Sequence, residues 1–161
     1  MSTETATGFA KIYYNRKLQD YWIRRLVAIV IDAVLIGVAT LIFELIVFFA
    51  TAVSTNVAFG LPWWSMNSWV FPFSAGIPLF LYSALTEYYY GSTLGKRIMM
   101  LKVAWGEGKK PPANVAFLRN ATKIYWLALL LDIVVALAMS KRDPTQKYTD
   151  TFAGTMVVTA D

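Results

Sequence analysis

LVAIVIDAVLIGVATLIFELIVFFA, residues Leu26–Ala50, decides the fold of this chain. A helix needs about 20 apolar residues to cross a bilayer core of about 30 Å, so a run of this length spans it. Arg24 and Arg25 close its polar side, and Tyr21 and Trp22 stand just before them, where amphipathic rings favour the headgroup layer. The residues ahead of this run contain no apolar h-region, so the run reads as an uncleaved anchor rather than a secretory signal. The chain of 161 residues is 57% hydrophobic and carries a net charge of +5. The expected class is a mainly α membrane protein in a single domain, 1–161, with a polar N-terminal segment 1–20.

Working outward, Trp69–Tyr90 supplies a second span that contains Pro72, Gly76 and Pro78 and closes on Glu87 and three tyrosines. The intervening Ser54–Ser68 is uncharged and carries Trp63 and Trp64, the composition of a short translocated loop. Gly91–Lys123 is basic, and so is the N-terminal segment with Lys11, Arg16 and Lys17. The excess of Lys and Arg puts both on the cytoplasmic side, and two spans between them satisfy that parity. Within the basic stretch, Ile98–Trp105 alternates as a short strand and Gly106–Pro112 as a turn. Gly154–Thr159 is a second strand by its Val and Thr content, and it pairs with the first only if the C-terminus is cytoplasmic.

Ile124–Met139 is apolar but short, about 24 Å as a helix. Basic residues flank it on both sides, and no Gly or Pro occurs between Ala113 and Asp143 to turn the chain. One continuous helix from about Ala113, with its second half in the membrane, is therefore expected. A full third crossing excludes the strand pairing.

Two carboxylates lie inside these apolar runs, Asp32 and Asp132. A carboxylate in hydrocarbon must be partnered, protonated or beside water, and marks a functional site by default. Arg25 and Asp32 stand two helical turns apart on one face, too far along the axis for direct contact. Arg25 can snorkel to the headgroups. Asp32 needs a partner, and the candidates are Lys123, Arg119, Ser83, Thr86, or Asp132 with a shared proton. Glu44 faces elsewhere on the same helix.

The chain has no Cys and no His, which removes disulfides, thiol and imidazole chemistry and nearly every zinc or haem site. No paired catalytic spacing replaces them, so no enzyme, metal or cofactor is expected. Ser92–Arg97 (STLGKR) has Gly and Lys but lacks the GxxxxGK[ST] spacing of a phosphate loop. The positive charge suits anionic lipid at the cytoplasmic leaflet, and no nucleic-acid module accompanies it.

RLVAIVID (Arg25–Asp32), GSTLGKRIMMLKV (Gly91–Val103), FLRNATK (Phe117–Lys123) and YTDTFAGTMVV (Tyr148–Val158) together resemble the RDD family of small membrane proteins, in order and spacing over nearly the whole chain. The resemblance maps the family's Arg and two Asp onto Arg25, Asp32 and Asp150. Ser92 stands where Gln is common, and Pro144 lies within the link to the last motif. Some family members resemble cation/proton antiporters, which implies proton-coupled monovalent cation transport by an oligomer. Asp32 would be its exchange site and Asp132 the neighbour. The alternative is an accessory or scaffold subunit of a larger membrane complex in the cell membrane, its polar residues fixing helix contacts.

Overall fold

The computed structural model describes residues 8–55, 71–138 and 145–160. A first short helix, α1 (Gly8–Tyr14), ends at Asn15, whose side-chain oxygen accepts from the backbone N–H of Lys17 at 3.0 Å and of Leu18. Donors at a helix start have no intrahelical acceptor, so Asn15 opens α2 (Arg16–Thr55). With 40 residues, α2 is about 60 Å long. It runs on the polar side well before Arg25.

One stripe of α2 is buried, at Trp22, Arg25, Ala28 and Asp32, the three-to-four-residue step of a helix face. From Leu26 onward the exposed part of its described surface is mainly apolar side chain, with Val30 at 59%, Val34 at 60% and Ile46 at 62%. A water-soluble helix has the opposite arrangement. Among the described residues α2 is the one unbroken helix long and apolar enough to cross a bilayer. The next helix, α3 (Phe71–Tyr90), runs through Pro78. The first two residues of the span expected there, and most of the Trp-rich loop before it, lie outside the described residues.

After Gly91, which takes a φ of 73°, a short helix α4 (Leu94–Ile98) starts on Thr93, whose hydroxyl accepts from Lys96 N–H. Ile98 therefore ends a helix, and the strand expected from that residue begins three residues later, as β1 (Leu101–Trp105). β1 pairs antiparallel with β2 (Thr155–Thr159), Leu101 opposite Thr159 and Trp105 opposite Thr155. Leu101, Val103 and Val157 are buried, the alternation of a sheet with one covered face.

Between the strands lie α5 (Ala113–Asn120), a 3₁₀ turn (Ala121–Ile124), α6 (Trp126–Ala138) and α7 (Tyr148–Phe152). The continuous helix expected from Ala113 is not what forms. Tyr125 is extended, with φ −133° and ψ 123°, and the two halves are bent by 110°. No Gly or Pro is needed for this break, because the first half buries Arg119, Asn120 and Lys123 on one side while α6 is almost wholly apolar. The pairing of Arg119 with Asp150 and of Asn120 with Glu87 inside the protein outweighs helix continuity. The break also packs against α3: a Cβ on Gly76 would sit 1.9 Å from the carbonyl oxygen of Ile124, so only glycine admits it.

Candidate functional site

At the foot of α2 the short elements close over a layer of buried charge. Arg25 on α2 donates through Nη2 to Asp150 on α7, and through Nη1 to the carbonyl of Thr145 at 2.8 Å. Arg119 on α5 reaches the other oxygen of Asp150 at 2.9 Å, and its Nε lies 3.4 Å from Glu87 on α3. Glu87 also takes Lys96 of α4 and, at 2.7 Å, the side-chain amide of Asn120. Asp150 and Glu87 are fully buried. Five elements, α2, α3, α4, α5 and α7, are thus joined through two carboxylates.

Burial alone would push the Asp150 carboxyl up, but Arg119, Arg25 and Lys147 hold it below the ordinary carboxylate range. Lys96 behaves oppositely: burial pushes its ammonium down to about 8 despite Glu87, with Arg119 adding repulsion. Lys147 is also lowered by burial, against the pull of Asp150 and Asp132.

The two intramembrane aspartates are held by different neighbours. Asp32 accepts from Gly95 N–H at 2.8 Å and from the Tyr82 hydroxyl at 3.2 Å. Gly95 is required for this approach, since a Cβ there would lie 2.2 Å from the carbonyl oxygen of Ala28. Asp132 accepts from Lys147 Nζ at 2.8 Å, Thr149 N–H at 2.7 Å, Thr149 Oγ1 at 2.7 Å and Thr122 Oγ1 at 3.1 Å. A proton shared between Asp32 and Asp132 is not the arrangement found: both bonds to Asp32 go to Oδ1, Asp132 takes its donors from the start of α7 and the 3₁₀ turn, and no hydrogen bond joins the two among the described residues.

Arg25 does not snorkel outward, since Asp150 draws it inward, where it is 4% exposed. Asp150 ties α7 to α2 and α5. Glu44 is buried on α2 and forms no ion pair among the described residues. The phosphate-loop-like STLGKR spends its donors internally, Gly95 on Asp32 and Lys96 on Glu87.

Sequence reading alone does not pick out Glu87, Lys96, Asn120 and Lys147 as site residues. A signal was available in part: Arg119, Asn120 and Lys123 fall on one helical face immediately before a run that is apolar but for Asp132.

A long apolar helix, clamped at its foot by short helices and a two-stranded sheet through buried ion pairs, defines a helical membrane-anchored module. The family model described as RDD family matches residues 21–154, which include Arg25, Asp32, Asp132 and Asp150, and the chain belongs to that family. Membership and the exposed aliphatic surface of α2 agree on a membrane protein. No curated protein and no solved structure matches the chain.

Proposed function

We propose that this RDD protein is an integral protein of the cell membrane, with its N-terminus and basic 91–123 stretch in the cytoplasm, acting as a non-catalytic accessory or scaffold subunit of a larger membrane complex. The observation that carries this is the way its buried carboxylates are spent. In the layer at the foot of α2, Asp32, Glu87, Asp132 and Asp150 face five buried cations, Arg25, Lys96, Arg119, Lys123 and Lys147. A monovalent cation entering here would meet positive charge already in excess, whereas a latch between elements accounts for the pairing of Glu87, Asp132 and Asp150 with Arg25, Lys96, Arg119 and Lys147.

The pairing of β1 with β2 supports a topology with the C-terminal strand on the side of the basic stretch. α2 and α3 go out and return. α6, with 13 residues, reaches only about 20 Å and lies in the cytoplasmic leaflet without crossing. Anionic lipid neutralises the exposed cations of the basic stretch.

Extraction in mild detergent followed by native mass analysis tests the reading. A different protein bound in fixed stoichiometry is expected, and a homo-oligomer alone would overturn it.

One observation favours proton-coupled cation exchange by an oligomer as a second reading: among the described residues Asp32 takes neutral donors, Gly95 N–H and the Tyr82 hydroxyl, and forms no ion pair. In liposomes with a trapped pH dye, Na⁺-, K⁺- or Li⁺-dependent proton movement that Asp32→Asn abolishes would establish it. Absence of movement for all three ions would remove it.

A further inference from the structure

Two cavities meet at Lys123. One is a void of about 20 Å³ inside the charged layer, lined by Arg25, Lys96, Arg119, Lys147 and Lys123. The other is an apolar chamber of about 350 Å³ between the helices, lined by Ile29, Ala33 and Gly37 of α2, Gly76 and Leu79 of α3 and Trp126 of α6. Ile29, Lys123 and Leu129 border both.

Lys123 is the exception in the layer. Arg25, Lys96, Arg119 and Lys147 each have a carboxylate within ion-pair distance, whereas Lys123, 6% exposed, has neither ion pair nor hydrogen bond among the described residues. Beside it Arg119 Nη1 is a buried donor with no acceptor. A buried donor without an acceptor is costly, and beside it an ammonium without an ion pair, at the edge of an apolar chamber, calls for an anion that carries a hydrocarbon tail.

We propose that this junction binds a single-chain, long-chain fatty acid, its carboxylate accepting from Lys123 and facing Arg119, and its tail filling the chamber between α2, α3 and α6. The sizes select this ligand. The small void has room for about one water-sized group, which suits a carboxylate oxygen. The chamber stands near the lower end of the roughly 300–1,000 Å³ usual for ligand sites, which suits one tail and not the two chains and glycerol of a phospholipid. The site is independent of the accessory-subunit reading.

The test uses the full chain in lipid nanodiscs and palmitate bearing a mid-chain diazirine, photolysed and mapped by peptide mass analysis. Labels are expected on α2 between Ile29 and Gly37 and on α3 near Gly76 and Leu79, displaced by excess palmitate and not by methyl palmitate. Lys123→Met should cut labelling about tenfold, the loss of one charge-assisted contact. Gly37→Leu offers a second variant that puts a side chain on the chamber wall at a position where a Cβ meets nothing within 4 Å. It should abolish labelling while the protein elutes and melts as before. Labels scattered along the exposed face of α2, equal competition by methyl palmitate, or labelling that survives Gly37→Leu would overturn the proposal.

Discussion

The foot of the molecule and the shaft of α2 invert each other. At the foot, arginine, lysine, glutamate and aspartate are buried, Arg119 at 1% exposure and Asp150 at 0%. Along the shaft the aliphatic side chains are out, Val34 at 60% and Ile46 at 62%. In water the usual distribution is the reverse of both. The difference teaches which solvent each region is built for: the shaft needs no protein cover because lipid supplies it, and the foot adds buried charge pairing to a small apolar core of Leu101, Val103 and Val157.

The strongest way to break that contrast is to remove one charge from the foot. Asp150→Asn leaves Arg25 and Arg119 buried beside a neutral amide, and should cost about 3–5 kcal/mol in thermal or denaturant unfolding in detergent. The same carboxylate makes the wild-type protein acid-sensitive. Its folded pKa lies below the unfolded value of about 3.9, so its stabilisation is complete above that value and drains as pH falls towards the folded one. Melting temperature should drop below about pH 4 in the wild type and far less in Asp150→Asn.

On the shaft the corresponding change is Val34→Arg, which should raise the apparent cost of membrane insertion of α2 by about 2.5–3.5 kcal/mol in a translocation assay while leaving the ion pairs intact. A cost near zero would mean that this face is not in lipid. Smaller again is Gly76→Ala, which forces the Ile124 carbonyl away from α3. About 1–3 kcal/mol is expected, measured as a fall in melting temperature. The smallest effect belongs to Asp20→Ala, because the Asp20–Arg24 pair at 2.8 Å is exposed on both sides. It should change stability by no more than about 0.5 kcal/mol.

How much of this was legible follows from the range of each interaction. The apolar run of α2 and the alternation in β1 and β2 are local patterns, and local patterns carry through to the structure. The shared face of Arg25 and Asp32 is equally local, and both are buried on one stripe of α2. The partners were not legible, because Arg25 meets Asp150 across most of the chain and Glu87 meets Arg119 from another helix. Asp32 shows a further limit: one of its partners is a backbone N–H, that of Gly95, which composition does not mark as a donor. The break at Tyr125 was hidden for a related reason, since a tertiary demand for buried polar contacts bends the chain where no helix-breaking residue stands.

The central claim is that the Arg and the C-terminal Asp of this RDD chain act as one latch, and a double-mutant cycle addresses it most directly. Arg25→Met, Asp150→Asn and the double variant would be unfolded under one detergent condition. The account predicts large single losses and a double loss short of their sum by about 1–3 kcal/mol. Losses that add to within about 0.5 kcal/mol would contradict it.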